Sequence, residues 1–281
     1  MPFHFRPFPG TLLVLLSALS LGLNSCAVDE AQTPSERPRG ELVFSDEFDG
    51  PAGSTPDPAK WTYDIGNGPN GWGNQELQYY TDRPENVALD GAGNLRITAR
   101  RETFGGQPFT SARLKTEGLF ERAYGRFEAR LRTPVGPGVW PAFWLLGNNC
   151  GEMPWPQCGE IDVMELRGQQ PSQIAGSLHG PGYSAGAAVT SDYRLAEGRF
   201  DDEFHTFAVE WGEDYVDHFV DGFLYQRTTR DEVPGEWVYD HPFFIILNVA
   251  VGGNYVGFPT SQTPLPQDMV VDYVRVYALD K

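Results

Sequence analysis

Arg126-Phe127-Glu128-Ala129-Arg130-Leu131-Arg132 alternates charged and apolar side chains with a period of two, the pattern of a strand with one face in a core and the other turned away from it. On a helix, Phe127 and Ala129 would point about 200° apart and could not share a buried face. The same alternation recurs in Leu95-Arg96-Ile97-Thr98-Ala99-Arg100 and in Asp272-Tyr273-Val274-Arg275-Val276-Tyr277. Further strands are expected over 206–211, 215–220 and 243–251. Val220-Asp221-Gly222-Phe223 separates two of these runs with Asp-Gly, which supplies the positive φ angles of a type I′ hairpin turn. Long helical patterns are missing, and no repeat of 20 to 50 residues recurs, which disfavours a propeller or solenoid. The reading is all-β, a sandwich or barrel whose length implies many strands in two large sheets.

Composition narrows the function. The 281 residues carry a formal net charge of -17, which excludes nucleic acid as a partner, because phosphate binding needs clustered Lys and Arg. Aromatic residues make up 13%, with 7 Trp and 12 Tyr beside 32 Gly and 23 Pro. Such a loop-rich β protein has flat apolar surfaces to offer a neutral polymer. No linker interrupts the chain after about residue 41, so residues 41–281 are expected to form one domain.

The first 25 residues read as an export signal: Arg6 gives a positive flank to the apolar run Thr11 to Leu23, which is shorter than the ~20 residues a membrane span requires. Leu23-Asn24-Ser25-Cys26 resembles a bacterial lipobox, with Cys26 as the lipidated residue that would anchor the protein to a membrane. Asn24 departs from the usual pattern, and ordinary cleavage near Ser25 is the alternative. Residues 26–40 have no apolar periodicity and read as a disordered tether. The expected location is extracellular or anchored to the cell envelope. In that oxidising setting Cys150 and Cys158, bracketing a short loop, are expected to form a disulfide; further Cys or His ligands at zinc spacing are lacking.

Gly159-Glu160-Ile161-Asp162-Val163-Met164-Glu165-Leu166 carries the chemistry. Strand alternation puts Ile161 and Val163 on one face and Glu160 and Asp162 on the other. Glu165 stands at an odd step from Glu160 and should point into the core, where an unpaired carboxylate is costly. A β-bulge resolves the conflict, with Met164 as the expected extra residue, and returns Glu165 to the face of Glu160 and Asp162. Three crowded carboxyls repel one another and their pKa values split. That suits retaining glycoside hydrolysis, in which an ionised carboxylate attacks the anomeric carbon while a protonated one, ~5 to 5.5 Å away, donates to the leaving oxygen.

This segment resembles the active-site strand of glycoside hydrolase family 16, in its laminarinase (endo-β-1,3-glucanase) branch. That branch carries Glu-Ile-Asp-x-Met-Glu, whereas the mixed-linkage lichenases have a strand one residue shorter without the bulge. The resemblance runs over residues 43 to 277, through Phe44-Ser45-Asp46-Glu47-Phe48, Trp72-Gly73-Asn74-Gln75-Glu76-Leu77-Gln78-Tyr79-Tyr80-Thr81, Trp140-Pro141-Ala142-Phe143-Trp144-Leu145-Leu146, His179-Gly180 and Ile246-Leu247-Asn248-Val249-Ala250-Val251-Gly252-Gly253. It implies a two-sheet antiparallel jelly-roll sandwich, concanavalin-like, with a concave substrate cleft. It also implies Glu160 as nucleophile, Glu165 as general acid/base and Asp162 as the residue that holds the charge state of Glu160.

Sugar rings stack on aromatic faces. Trp140 and Trp144, an even step apart, share one face of an apolar strand, and the resemblance places both near the cleavage point. Trp72, in a Gly- and Asn-rich loop, is expected to be more exposed. The resemblance adds His179 as a substrate contact, and Asn74, Glu76, Arg113 and Asn248 as further cleft residues. It also implies a structural calcium, held by Glu47, the Gly91 carbonyl and Asp272, all oxygen donors. Asp272 stands an even step from Val270 and Val274, on a face otherwise apolar. The reaction needs no cofactor, and the sandwich is expected to stand alone as a monomer.

Three other readings compete. A mixed-linkage glucan or a galactan such as agarose could be the substrate of the same acids. A noncatalytic glucan-binding protein could share the sandwich, although such relatives typically lack the catalytic glutamates. An envelope lipoprotein of purely structural role would explain Cys26 but not the acids.

Overall fold

Every period-two segment forms a strand, and the apolar half of each alternation is buried: Phe127, Ala129 and Leu131 are fully enclosed, as are Leu95, Ile97 and Ala99. The computed structural model describes residues 1, 2, 4 and 40–279. The apolar run 11–23, Cys26 and the tether as far as residue 39 lie outside the described residues.

In chain order the strands are β1 (Leu42–Asp46), β2 (Thr62–Tyr63), β3 (Gln78–Tyr80), β4 (Val87–Leu89), β5 (Leu95–Phe104), β6 (Gln107–Ser111), β7 (Arg113–Lys115) and β8 (Gly125–Arg132). They continue with β9 (Val139–Gly147), β10 (Glu160–Leu166), β11 (Gln173–His179), β12 (Val189–Arg194), β13 (His205–Trp211), β14 (Tyr215–Val220), β15 (Phe223–Thr229), β16 (Phe243–Val251) and β17 (Gln267–Tyr277). Among the described residues only short helical turns interrupt them. The hairpin between β14 and β15 turns on Asp221 and Gly222, with φ of 50° and 79°, so the Asp-Gly signal is realised as a turn with two left-handed residues.

The strands make two sheets. Ten strands form one, in the order β15-β14-β13-β8-β17-β5-β6-β3, with β1 also on β17 and β4 on β5; seven form the other, in the order β12-β11-β10-β9-β16-β7-β2. Strands distant in sequence are neighbours in both, as in a jelly roll. Pairings among the described residues are antiparallel except for β3 with β6, which run parallel.

Aromatic rings join the sheets. Trp211 of β13 meets Phe243 of β16 edge to face at 5.0 Å between centroids, and its Nε1–H donates to the Tyr239 carbonyl at 2.9 Å. Offset and edge-on ring pairs add to what their buried area contributes. Part of the charged half of the β8 alternation, Arg126 and Glu128, is covered as well. Glu128 is fully buried, clasped by Arg126 at 2.8 Å and by the Tyr273 hydroxyl at 2.9 Å. A charge out of water persists only when paired and hydrogen-bonded in this way.

Asp272 departs from the expected face. A register shift between Val271 and Tyr273 interrupts the alternation of β17 against β8, so Val271 and Val274 are both in the core. Asp272 instead forms an ion pair with Arg130.

Replacing the fully buried Trp211 by Ala removes the ring that spans both sheets. The expected loss is about 3–5 kcal/mol of unfolding free energy, read from urea denaturation followed by intrinsic fluorescence.

Candidate active site

The acid strand β10 lies between β9 and β11, and its ladders break in the middle. Against β9, Asp162 faces Trp144 while Met164 faces Phe143, which leaves Val163 without a counterpart. Against β11, Asp162 faces Ser177 and Glu165 faces Ala175, three steps against two. The expected bulge is therefore present, but its extra residue is Val163 and not Met164. Met164 keeps its place because Phe143 opposite is itself a fully buried core residue, and Val163 and Met164 both enter the core. Inserting one residue restores Glu165 to the face of Glu160 and Asp162.

His179 stands opposite Glu160 across the β10–β11 ladder. Its Nε2 lies 2.9 Å from Asp162 Oδ2 and 3.6 Å from Glu160 Oε1. Its Nδ1 accepts the backbone N–H of Ala185 at 3.1 Å, so in the neutral ring the proton sits on Nε2 and points at the acids. The donor atoms of Glu160, Asp162 and His179 lie within 4.8 Å of one another, close enough to grip a cation. The Ala185 bond opposes that use: a metal would need the Nε2 lone pair, and that nitrogen carries the proton. The arrangement suits proton chemistry.

On the other side, Trp140 Nε1–H donates to Glu165 Oε1 at 2.9 Å. Burial pushes all three carboxyls up to about 8. The negative charge of Asp162 adds to the rise in Glu160 and Glu165, while His179 favours the ionised form of both. Desolvation leads because the side chains of Glu160 and Asp162 keep only 17% and 5% of their exposure.

Several of the weaker sequence expectations converge on one chain of contacts. Trp144 Nε1–H donates to Asn248 Oδ1 at 2.7 Å, and Asn248 Nδ2 donates to the Tyr80 hydroxyl at 3.1 Å. That hydroxyl donates to Glu76 at 3.3 Å, and Glu76 also accepts from Gln78 at 2.6 Å and Asn74 at 3.4 Å. Burial raises the Glu76 carboxyl, an effect opposed by Gln78 and by the charge of Arg113. The Arg113 guanidinium lies 4.7 Å from the rings of both Trp72 and Trp144 and is held by Asp64 at 2.9 Å. Trp72 is half-buried rather than exposed, because its ring is covered by Arg113 and lies against Tyr80 at 5.8 Å.

Both carboxylates expected to hold calcium are paired with arginines. Glu47 is clasped by Arg275 at 2.7 and 2.9 Å, and Asp272 by Arg130. Each carboxylate charge is met by an arginine, so the set does not fit a dication as arranged.

Some site residues were not named from the sequence. Tyr80 and Gln78 sit inside the quoted Trp72–Thr81 motif, and Tyr255, whose ring lies 5.0 Å from that of Trp140, follows the Gly252-Gly253 pair. Trp155 offered the clearest missed signal, an aromatic residue between two cysteines. The Cys150–Cys158 disulfide forms with Cα atoms 5.0 Å apart, and its loop holds the exposed Trp155 ring 5.8 Å from His179.

Known proteins share this architecture. The family described as Glycosyl hydrolases family 16 matches residues 73–275. A protein named Beta-glucanase from Rhodothermus marinus is 41% identical over 266 residues, covering 91% of each chain. The laminarinase catalytic domain from Thermotoga maritima superposes with a TM-score of 0.81 at 48% identity, over 86% of this chain and 100% of that one. An endo-beta-1,3-glucanase from Pyrococcus furiosus gives the same TM-score at 45% identity, over 86% and 95%. With the bulged acid strand, the two-sheet fold and a match over most of its length, the chain belongs to glycosyl hydrolases family 16.

Proposed function

We propose that the protein is an endo-acting, retaining glycoside hydrolase that cleaves β-1,3-glucosidic bonds, with Glu160 as nucleophile and Glu165 as general acid/base. The bulge at Val163 carries this reading. It turns three acids to one face, and the extra residue is the feature that separates the laminarinase-like strand from the shorter strand of lichenases. The names of the relatives, Beta-glucanase, laminarinase and endo-beta-1,3-glucanase, support the same substrate.

In the first step the Glu160 carboxylate attacks the anomeric carbon as the glycosidic C–O bond breaks, and the Glu165 proton goes to the departing oxygen. A covalent glycosyl ester on Glu160 remains. The Glu165 carboxylate then takes a proton from water, whose oxygen attacks the same carbon and releases Glu160. Asp162 raises and His179 lowers the proton affinity of both glutamates, and the Nε2–H of His179, 3.6 Å from Glu160 Oε1, is aimed at the nucleophile. Trp140 holds Glu165 by its indole N–H, while Trp140 and Trp144 offer ring faces to the sugars. We further propose that the enzyme is exported. The Cys150–Cys158 disulfide is consistent with an oxidising compartment, and Cys26 would supply an envelope anchor.

Incubating residues 41–281 with laminarin, lichenan and agarose tests the substrate. Short β-1,3-linked oligosaccharides from laminarin are expected, and cleavage of only another polymer would overturn the specificity. Glu160→Ala and Glu165→Ala should each lower hydrolysis on the order of 10³-fold or more while remaining folded, with partial rescue by azide or formate.

A second outcome follows from the raised carboxyls. A carboxyl whose pKa is higher folded than unfolded contributes stability below its unfolded value, and that contribution is lost as pH rises through the folded value near 8. Glu165→Gln keeps the acceptor for Trp140 and abolishes the penalty. Its melting temperature should exceed that of the wild type at pH 8, by about 2–4 °C for each kcal/mol relieved, and match it near pH 4.

A further inference from the structure

A buried histidine outside the acid cluster reaches the same strand from behind. His218 lies on β14 in the ten-stranded sheet and has no exposed surface. Its Nε2 is 3.1 Å from the backbone carbonyl of Asp162, so one side chain crosses the sandwich to the seven-stranded sheet. The carbonyl it meets belongs to the residue at which the ladders of β10 lose register on both sides. A carbonyl accepts only, so His218 must donate Nε2–H. Its Nδ1 is buried without a hydrogen-bond partner among the described residues, which leaves no acceptor for a second ring proton.

Gly176 on β11 makes the crossing possible. A Cβ at that position would lie 2.5 Å from His218 Cδ2 and 2.3 Å from the Tyr225 hydroxyl. No side chain larger than hydrogen fits there without displacing the imidazole. From β15, Tyr225 faces the ring at 5.9 Å between centroids; its burial raises the phenol, which therefore stays neutral. Asp162 meets His218 through its backbone, while its carboxylate lies against His179 on the opposite face. Burial lowers the imidazole to about 4, against the opposing effect of the Asp162 bond, which agrees with a neutral ring.

We propose that His218 is a positioning residue for hydrolysis: its neutral imidazole, admitted by Gly176, clamps the Asp162 carbonyl at the bulge and so fixes where Asp162 and Glu165 stand relative to Glu160. A bulge is locally underdetermined, because its extra residue has no ladder partner. A donor from the facing sheet selects one backbone conformation, and small displacements of reacting groups carry large rate penalties. The proposal rests on Glu160 and Glu165 being the reacting acids. Failure of that assignment would show as hydrolysis by the alanine variants of those glutamates, a result independent of the state of His218.

Three measurements test it. In wild-type protein, long-range ¹⁵N–¹H spectra of the imidazole at pH 6 should show Nε2 protonated and Nδ1 bare; an Nδ1–H tautomer or an imidazolium would overturn the clamp. His218→Leu keeps buried volume without a donor, and its kcat on laminarin should fall roughly 10- to 100-fold with KM nearly unchanged. The alkaline limb of its kcat profile, set by the Glu165 proton, should shift, because Glu165 then stands at a different distance from the charge of Asp162 and the N–H of Trp140. His218→Gln returns an N–H at similar reach and should recover kcat to within about threefold of wild type. A folded Leu variant with wild-type kcat and pH profile, or a Gln variant as impaired as the Leu variant, would refute the role. If the Leu variant does not fold, the tautomer and the Gln variant decide.

Discussion

Strand geometry sends successive side chains to opposite faces, and that constraint governs the active strand. Glu160 and Glu165 stand an odd number of steps apart, so a regular strand would drive one carboxyl into the core beside Phe143 and Ile161. One unpaired residue, Val163, removes the conflict. The surroundings of β10 follow from it. Phe143 fixes Met164 in register, Trp140 receives the returned Glu165, and the carbonyl at the break meets a donor from the other sheet. The bulge is thus a built feature, with partners on both neighbouring strands and across the core.

Gathering three carboxyls out of water raises their affinity for protons, and the protein answers with few positive charges. His179 approaches Asp162 and Glu160 from β11, its direction set by a single backbone N–H, and Arg113 stands farther off over two tryptophan rings. Full neutralisation by arginines, as at Glu128 on β8, would leave a stable ion pair and no proton to transfer. The site therefore keeps a destabilising excess of acid, the familiar exchange of stability for activity, and the aromatic packing between Trp211 and Phe243 elsewhere in the sandwich offsets it.

The cleft is wired along rows of side chains that belong to distant segments. Glu76, Tyr80, Asn248 and Trp144 come from three parts of the chain, yet one continuous path of hydrogen bonds joins them because β9 lies beside β16 and the β3 segment covers its face. That path holds the indole of Trp144 in a fixed plane beside the acids. On the opposite flank the disulfide loop sets Trp155 against His179, so both ends of the acid row are bordered by aromatic rings.

Short-range periodicity was enough to determine the long alternating strands, the Asp-Gly hairpin, the cysteine pair and the need for a bulge, since each depends on residues within a few positions of one another; the short strands β1 to β4, β6, β7, β11 and β12 were not legible in this way. Even the burial cost of Glu165 could be read from its spacing alone. What depended on strands becoming neighbours was settled only in three dimensions. Val163 rather than Met164 is the extra residue because Phe143 lies opposite Met164. Asp272 leaves the apolar face because β17 bulges against β8, and Glu47 turns to Arg275 because β1 pairs with β17. His218, an unremarkable residue in a strand, acquires its contact with Asp162 only when two sheets close on each other. Local alternation is encoded by adjacent side chains, whereas the partner of a bulge, an ion or a buried imidazole is chosen by packing between segments far apart in the chain.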